Sequence, residues 1–323
     1  MTHSPVIRPR AWTAVVNPAA GKGRTRKLLP QLTESLTGAL GDVEIHVTTD
    51  AGDVLRRARA AYAAGRTVVA CGGDGTVNAL AGVASETGGV LGIVPTGSGN
   101  DFAAHLGLDW KRWRDAVGVL TQDRVARVDL GRAVLDDGTS AWFTSVANSG
   151  FDSEANRWAN GVRWATGTTL YVLAVVRTLA VYSPRRYRLT VDGEARDLDA
   201  WLVAVGNARG YAGGMRITPD ARLDDGELDV CVVGAVSRAG FLRAFPRVFR
   251  GTHTSHPAVS MFRGKVIELA SLESAGTNEL YGSGERIGPL PARMEAVPGA
   301  LRVLVPEDSP VPIDGDDDDE PLT

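Results

Sequence analysis

The chain has 323 residues, 44% of them hydrophobic, and a formal charge of -3 from 35 Lys and Arg against 38 Asp and Glu. This composition is typical of a globular protein, because disordered chains hold fewer apolar residues and integral membrane proteins hold more. With only Cys71 and Cys231 present, a disulfide framework and a cysteine-based zinc site are excluded. The length predicts two domains at roughly 100–200 residues each.

Residues 1–130 alternate short aliphatic strands with helices, which predicts a doubly wound parallel sheet covered on both faces. The predicted strands are Ala11–Asn17, Val43–Thr48, Thr67–Cys71 and Val90–Val94. The predicted helices are Thr25–Leu40, Ala51–Ala64 with Asp50 or Thr49 as N-cap, Thr76–Ser85, Asp101–Leu106 and Trp110–Thr121. Ligands of such sheets bind at the C-terminal ends of the strands.

Residues 131–306 show short apolar runs punctuated by turn signals, which predicts a β-rich, sandwich-like second domain. The predicted strands are Trp142–Ala147, Tyr187–Val191, Ala200–Val205, Leu228–Val233, Lys265–Ala270 and Leu301–Val305, with helices at Thr168–Tyr182 and Arg238–Arg250. The apolar run Thr168–Tyr182 is shorter than the roughly 20 residues of a bilayer span and contains Arg177, so we expect a buried helix.

The formal charge is the sum of two unlike parts. Residues 307–323 contain eight acids and no Lys or Arg, so residues 1–306 carry a charge of about +5. We expect the acidic segment to be a disordered, solvated tail.

Glycine is in surplus, at 38 residues against an average of roughly 7%, and it is concentrated in loops that follow predicted strands. Three such loops are Asn17–Arg24, Gly72–Thr76 and Pro95–Asp101. None matches a P-loop, a dinucleotide fingerprint or a nucleophile elbow. Glycine nevertheless lets backbone amides approach a phosphate closely, and helix N-termini present unpaired N–H groups to it. A carboxylate at Asp74 beside such a loop favours a divalent cation between it and the phosphate.

The three loops together resemble, in order and spacing, the catalytic domain of diacylglycerol and sphingosine kinases, and bacterial soluble diacylglycerol kinase-like lipid kinases most of all. The resemblance rests on Asn17–Gly21, the run Gly72–Asn78 and Pro95–Asp101. It continues through Gly213–Ala221, Leu223–Asp229 and Gly284-Glu285, so it covers almost the whole chain except the tail.

The resemblance implies a two-domain fold with ATP in an interdomain cleft and Mg²⁺ as cofactor. Nucleotide-binding positions are implied at Asn17, Thr49, Gly72, Gly73, Gly75, Thr76, Thr96 and Ser98. Asp74 and Asp101 match the acids that organise the catalytic Mg²⁺, and Glu285 matches the general base. Asp225, with the backbone carbonyls of Arg222 and Glu227, matches a second, structural metal site.

The sequence departs from the family at three places. Ser283 stands two residues before Glu285, where Asp is usual, which leaves open a nucleotide-binding regulator with impaired catalysis. Ala79 stands where Glu is common. Ser98 is the choice typical of sphingosine kinases, whereas Asp101 is typical of diacylglycerol kinases, so the acceptor is left open between diacylglycerol, a sphingoid base and another lipid alcohol.

The residues by themselves leave simpler interpretations for several of these sites. Glu285 follows a turn-like Ser283-Gly284 and suits a solvated hairpin, and the acidic run over residues 224–229 suits a hydrated turn. His253 and His256 lack a third ligand and favour a surface loop. The predicted helix Arg238–Arg250 alternates Phe with Arg, which suits either an anionic membrane surface or core packing with a basic outer face.

We therefore expect a cytoplasmic, ATP- and Mg²⁺-dependent lipid kinase of phospholipid metabolism that phosphorylates a lipid alcohol, diacylglycerol in the first place. Peripheral contact with an anionic membrane is expected, a homodimer is left open, and an NAD kinase is a weaker rival. Nucleic-acid binding is not expected, because the basic residues are not interleaved with aromatics along one strand-binding face.

Overall fold

A computed structural model describes residues 10–151, 177–178, 181–211, 213–273 and 278–313. The chain divides into two compact units: unit 1 comprises residues 1–127 and 301–323, and unit 2 comprises residues 128–300. Most of the predicted helix Thr168–Tyr182, and the tail from residue 314 onward, lie outside the described residues.

Unit 1 contains a parallel sheet in the order β2-β1-β3-β4, extended by the end of the last strand, β15, on β4. Its strands are β1 (Trp12–Val16), β2 (Val43–Val47), β3 (Thr67–Gly72), β4 (Val90–Pro95) and the end of β15 (Ala292–Leu304). Its helices are α1 (Arg24–Leu40), α2 (Ala51–Ala63), α3 (Asp74–Thr87), α4 (Asp101–His105) and α5 (Trp113–Val119), with a 3-10 helix at Trp110–Arg112.

The inner strands of the unit 1 sheet are buried because they carry aliphatic side chains toward both faces, whereas the edge strand β2 has no buried residue. Every residue of β1 is buried, and so are five of the six residues in β3 and in β4. Leu32 and Leu36 of α1 pack against this sheet together with Trp113 of α5. The alternation of strands and helices is confirmed, and Asp50 is the N-cap of α2, accepting the N–H of Asp53 at 2.8 Å.

Unit 2 is an antiparallel structure with sheet order β14-β13-β7-β9-β8-β12-β15, in which β10 joins β9 to β11 and β6 pairs with β5. The strands are β5 (Val125–Leu135), β6 (Ser140–Phe143), β7 (Val146–Gly150), β8 (Arg185–Val191), β9 (Glu194–Gly206), β10 (Leu228–Gly234), β11 (Val259–Gly264), β12 (Val266–Ser271), β13 (Glu279–Gly282) and β14 (Glu285–Pro289). Helix α6 (Arg238–Ala244) continues into 3-10 turns at Phe245–Arg250 and Thr252–Ser255.

The core of unit 2 lies between alternating inward residues of these strands, among them Phe143, Tyr187, Leu189, Val203 and Leu280. The predicted helix Arg238–Arg250 changes to 3-10 geometry at Phe245, next to Pro246, whose ring and missing N–H are incompatible with a continuing α-helix. The predicted strand Trp142–Ala147 is interrupted at Thr144 and Ser145.

The C-terminal boundary differs from the expected one. Arg302 and Val303 of β15 pair in parallel with Val90 and Leu91, so this part of the chain belongs to unit 1. The expectation of a disordered tail from residue 307 onward is wrong for its first seven residues. Residues 307–313 pack on unit 1, where Val311 is buried and the Ser309 hydroxyl donates to the Leu106 carbonyl at 3.0 Å.

Within the described part of the chain, no helix is both long enough and apolar enough to cross a membrane.

Candidate active site

Three loops of unit 1 meet where β1, β3 and β4 end. The backbone N–H of Asn17 donates to the Cys71 carbonyl at 3.0 Å, and the N–H of Thr96 donates to the Gly72 carbonyl at 2.9 Å. The Asn17 side-chain amide donates to the Thr76 hydroxyl at 3.0 Å. Because parallel strands end at the same sheet edge, the three glycine-rich loops form one surface.

Glycine is required where the second and third loops touch. A Cβ atom placed on Gly97 would collide with the Cα of Gly73, and one placed on Gly72 would lie 2.6 Å from the Thr76 side chain. The two loops therefore contact each other through backbone, and no larger residue fits at these positions. Part of the glycine surplus is explained by this close approach.

Helix α3 points its N-terminus into this surface. Its N-cap Gly73 has extended backbone and no capping side chain, and Gly75 in the first turn is exposed. The first N–H groups of a 14-residue helix carry the positive end of the helix dipole. This end of α3 is suited to an anion such as a phosphate group.

Asp74 is the first residue of α3 and connects the helix to the third loop. Its Oδ2 accepts the Asn100 N–H at 2.6 Å, and its Oδ1 accepts the Phe102 N–H at 3.4 Å. Burial raises the pKa of Asp74, and the nearby Asp101 charge raises it further, whereas the backbone hydrogen bonds oppose the shift. Two carboxylates so close to each other are electrostatically unfavourable without a cation.

The space beside these two carboxylates is kept open by Gly99. A Cβ atom on Gly99 would collide with Asp74 Oδ2 and would lie 3.4 Å from Asp101 Oδ2. Oxygen ligands from one or two carboxylates beside substrate phosphates are what Mg²⁺ prefers. The pair Asp74 and Asp101 therefore fits a divalent cation.

The other predicted nucleotide-binding residues, Thr96, Ser98 and Thr49, differ in their exposure and in their hydrogen bonds. Thr96 is fully buried, and its hydroxyl accepts from the Thr25 hydroxyl at 2.7 Å. Ser98 is exposed on the third loop. Thr49 is exposed at the start of α2, where its hydroxyl donates to Asp50 at 2.9 Å and its N–H to Asp53 at 3.3 Å. Thr96 thus shapes the loop, Ser98 is available to a ligand, and Thr49 helps to cap α2.

Sequence reasoning missed Asn100, which holds the third loop in shape. Its backbone is left-handed (φ 58°), its side chain accepts the Gly97 N–H at 3.0 Å, and it donates to the Gly97 carbonyl at 2.9 Å. Asn tolerates this backbone conformation better than most residues. An Asn at the end of a glycine-rich turn and just before a helix is the signal that identifies it.

Glu285, the predicted general base, lies in unit 2. It is exposed at the first position of β14, and the register places it opposite Gly282 across the turn Ser283-Gly284. Both turn residues have positive φ, 48° and 87°, as a type I′ hairpin requires. The Ser283 hydroxyl accepts the N–H groups of Thr144 and Ser145 at 3.2 and 3.3 Å, in the gap between β6 and β7.

The loop before β10 was expected to hold a second metal ion. Both oxygens of Asp225 already accept a hydrogen bond there, Oδ1 from the Glu227 N–H at 3.1 Å and Oδ2 from Arg263 Nη2 at 2.7 Å. The Arg222 side chain pairs with Asp224 at 2.9 Å. Among the described residues, no group of three or more His, Cys, Asp and Glu side chains could hold a metal ion.

His253 and His256 each form a hydrogen bond with the backbone. His253 is buried, contrary to the expected surface loop, and its Nε2 lies 3.0 Å from the Ile217 carbonyl oxygen. Burial lowers the pKa of His253, which favours the neutral ring. His256 Nδ1 accepts the Ala258 N–H at 3.2 Å.

Comparison with known proteins decides which family has this arrangement. The diacylglycerol kinase catalytic domain matches residues 11–133, and the YegS C-terminal NAD kinase beta sandwich-like domain matches residues 145–305. A diacylglycerol kinase of Mycobacterium tuberculosis is 38% identical over 296 residues, 91% of this chain and 94% of that protein. The chain belongs to the diacylglycerol kinase family of lipid kinases.

Further relatives support the same assignment. A probable lipid kinase YegS-like protein of Chromohalobacter salexigens is 32% identical over 82% of this chain and 84% of its own length. A putative diacylglycerol kinase from Bacillus anthracis has a crystal structure that superposes with a TM-score of 0.74 at 25% identity, covering 92% of this chain and 98% of that one. This kinase is thus an enzyme of the family with the family's two-domain fold, and ATP use follows from its membership.

Proposed function

We propose that this lipid kinase transfers the γ-phosphate of ATP to the hydroxyl of diacylglycerol, with Mg²⁺ as cofactor. The observation that supports the proposal most is the uncapped N-terminus of α3 beside the carboxylate pair Asp74 and Asp101. The relatives named diacylglycerol kinase, at 38% identity in one case, support the choice of acceptor.

The nucleotide half of the reaction is assigned to unit 1. First-turn N–H groups of α3, including that of Gly75, would donate to phosphate oxygens, and the helix dipole would stabilise their charge. Asn17 would orient the Thr76 hydroxyl through their 3.0 Å hydrogen bond. Asp74 and Asp101 would hold Mg²⁺, which supplies charge neutralisation for phosphoryl transfer when it is bound.

The acceptor half is assigned to Glu285. An exposed carboxylate at the start of a strand can accept the proton of the attacking hydroxyl, and general-base catalysis of this kind is worth roughly 10²–10⁴-fold in rate. The carboxylate needs a fixed position for this role, and the hairpin Gly282–Glu285 is joined to the preceding strands by the Ser283 hydrogen bonds.

Purified protein, labelled ATP and a panel of lipid alcohols in mixed micelles test the reaction. We expect phosphatidic acid from diacylglycerol, little product from a sphingoid base and none from NAD⁺, and a loss of at least about 100-fold in kcat for Glu285→Gln. The matched control is Glu279→Gln, in the same hairpin. If Glu285→Gln has wild-type kcat, or if ATP binds without phosphorylation of any lipid, the proposal is wrong.

A membrane-contacting surface is proposed on α6 and the 3-10 turn that follows it. Leu242 and Phe249 are exposed to 46% and 45%, and Arg243 and Arg250 are exposed beside them. Exposed apolar side chains flanked by cations are the chemistry that an anionic bilayer binds, by apolar insertion and charge attraction. The aromatic partner Phe245, 6.1 Å from the Phe249 ring, packs inward.

Vesicle sedimentation tests this surface. The double variant Leu242→Ser/Phe249→Ser should bind vesicles that contain anionic phosphatidylglycerol more weakly, while activity on a soluble short-chain diacylglycerol stays unchanged. Val47→Ser is the matched control, because Val47 is 44% exposed in unit 1. Equal vesicle binding by wild type and the double variant would refute the assigned surface without touching the proposed reaction.

A further inference from the structure

An arginine lies where the loop before β10 was expected to hold a metal ion. Arg263 Nη2 donates to Asp225 Oδ2 at 2.7 Å. Its Nε lies 3.3 Å from a carboxylate oxygen of Glu227 and 3.4 Å from one of Asp229. One guanidinium group therefore contacts three carboxylates, Asp225 and Glu227 in the loop and Asp229 at the start of β10.

Strand pairing is the reason that Arg263 reaches this loop. In the antiparallel pair of β10 and β11, Arg263 stands directly opposite Asp229. Directly opposed residues of opposite charge interact favourably across a sheet. The planar guanidinium group of Arg can then form hydrogen bonds and ion pairs with several carboxylates at once, which the ammonium group of Lys does less well.

A second anchor holds the loop from within unit 2. Both oxygens of Asp129, which is buried, accept backbone N–H groups, from Gly226 at 2.6 Å and from Gly299 at 2.7 Å. The turn at Gly226 is left-handed, with φ 71°. Hydrogen bonds from protein groups thus fix the loop on two sides, by Asp129 and by Arg263.

A divalent ion at Asp225 would compete with these contacts. An Mg²⁺ ion binds carboxylate oxygens at roughly 2.0–2.1 Å and demands octahedral geometry. Both Asp225 oxygens already accept hydrogen bonds, one of them from a guanidinium group. It would also lie within a few ångströms of a permanent positive charge. The residues present do not fit the metal ion that the family resemblance implies.

We propose that Arg263 is the resident cation of the loop Leu223–Asp229, so that unit 2 of this kinase folds without a structural metal ion. Removal of the guanidinium leaves Asp225, Glu227 and Asp229 with uncompensated charge. A divalent ion can then take its place. The Arg263→Met variant, similar in length but neutral, should therefore create a cation site that the wild-type chain lacks.

Thermal unfolding of the full chain, without nucleotide, tests the proposal in EDTA and in MgCl₂. The Asp74→Asn background is used throughout, so that the carboxylate pair of unit 1 does not contribute. With Arg263 present, we expect the same Tm in EDTA and in MgCl₂. In EDTA, the Tm of Arg263→Met should be about 5 °C lower than that of the protein with Arg263. Mg²⁺ should restore most of this loss, and the added substitution Asp225→Asn should abolish the restoration.

Mn²⁺ titration followed by electron paramagnetic resonance provides the second readout, and Arg263→Lys the second variant. Lys keeps the charge and should keep the loop free of Mn²⁺, even if Arg263→Met fails to fold. The proposal is overturned if the protein with Arg263 binds a Mn²⁺ ion that Asp225→Asn removes. It is also overturned if Arg263→Met has an unchanged Tm and binds no Mn²⁺.

Discussion

The Ser283 hydroxyl joins the hairpin that carries Glu285 to residues that lie more than 130 positions earlier in the chain. It accepts the N–H groups of Thr144 and Ser145 at 3.2 and 3.3 Å, and both of those residues are buried. Replacement by Ala removes the acceptor from both buried donors. We therefore predict that Ser283→Ala loosens the turn that positions Glu285 and lowers kcat.

The size of the effect follows from the number and length of the bonds. Depriving a buried donor of its acceptor costs about 1–3 kcal/mol, and these two bonds are at the long end of the usual range. A total near 2 kcal/mol is expected, or a fall in Tm of about 4–8 °C for a domain of this size. A displacement of Glu285 by about 1 Å would lower kcat by up to about 100-fold.

Substitutions at position 283 separate the loss of the hydrogen-bond acceptor from the backbone strain of a positive φ. Its φ of 48° costs Ser and Ala about 1 kcal/mol, and Gly nothing. Ser283→Gly therefore loses the acceptor but relieves the strain, and it should be more stable than Ser283→Ala while its kcat is just as low. Ser283→Asp restores an acceptor and suits the turn, so its kcat should equal or exceed that of wild type.

Steady-state assays with saturating diacylglycerol and varied ATP measure the effect. A positioning role predicts a lower kcat with an unchanged KM for ATP, and rescue by Ser283→Asp. A purely structural role predicts that Tm falls for Ala while kcat of the folded fraction stays at the wild-type value. That second result, or a Ser283→Asp variant as slow as Ser283→Ala, would refute the reasoning.

Three further predictions concern unit 1. Burial and a neighbouring carboxylate raise the pKa of Asp74 above 3.8. Its stabilising contribution is therefore present below pH 3.8 and is lost as pH rises through the raised pKa. In metal-free calorimetry, the Tm of Asp74→Asn relative to wild type should increase as pH rises through the raised pKa, and a constant difference would contradict the shift. Asn17→Ala should raise KM for ATP about tenfold at a stability cost of about 1 kcal/mol, and an unchanged KM in the kinetic assay would exclude a role at the nucleotide. A chain that ends after Ile313 should keep the wild-type Tm and bind anionic vesicles more tightly at low salt, since it lacks the acidic tail. A chain that ends after Pro306 should have a lower Tm, because it also lacks the buried Val311. Equal Tm values for the two chains would show that the packing of Val311 contributes nothing to stability.

The sequence predicts the fold of unit 1 well because its signals are local. Strands buried on both faces are continuous aliphatic runs, and the start of a helix such as α2 is marked by an N-cap residue, Asp50. In unit 2 the predictions are less complete. The strands β11, β13 and β14 are short and contain Gly, and β11 and β14 are mostly not buried. Their pairing partners are therefore needed to define them.

The candidate site divides in the same way. The sequence predicts that three glycine-rich loops follow parallel strands, and the parallel sheet then brings them to one edge. It does not predict that Asn100 shapes the third loop or that Thr25 supports Thr96 across 71 positions. Such partners are distant in the chain, and no periodicity or spacing connects them.

The sequence alone is enough to identify the family, the alternating architecture of unit 1 and the three glycine-rich loops that follow its strands, because backbone conformation is encoded by adjacent residues. The tertiary structure alone decided that Arg263 contacts the acids of the loop before β10 and that Ser283 joins the Glu285 hairpin to Ser145, 138 positions away. Both depend on strand register, and register is set by the packing of a whole sheet face, not by any one segment.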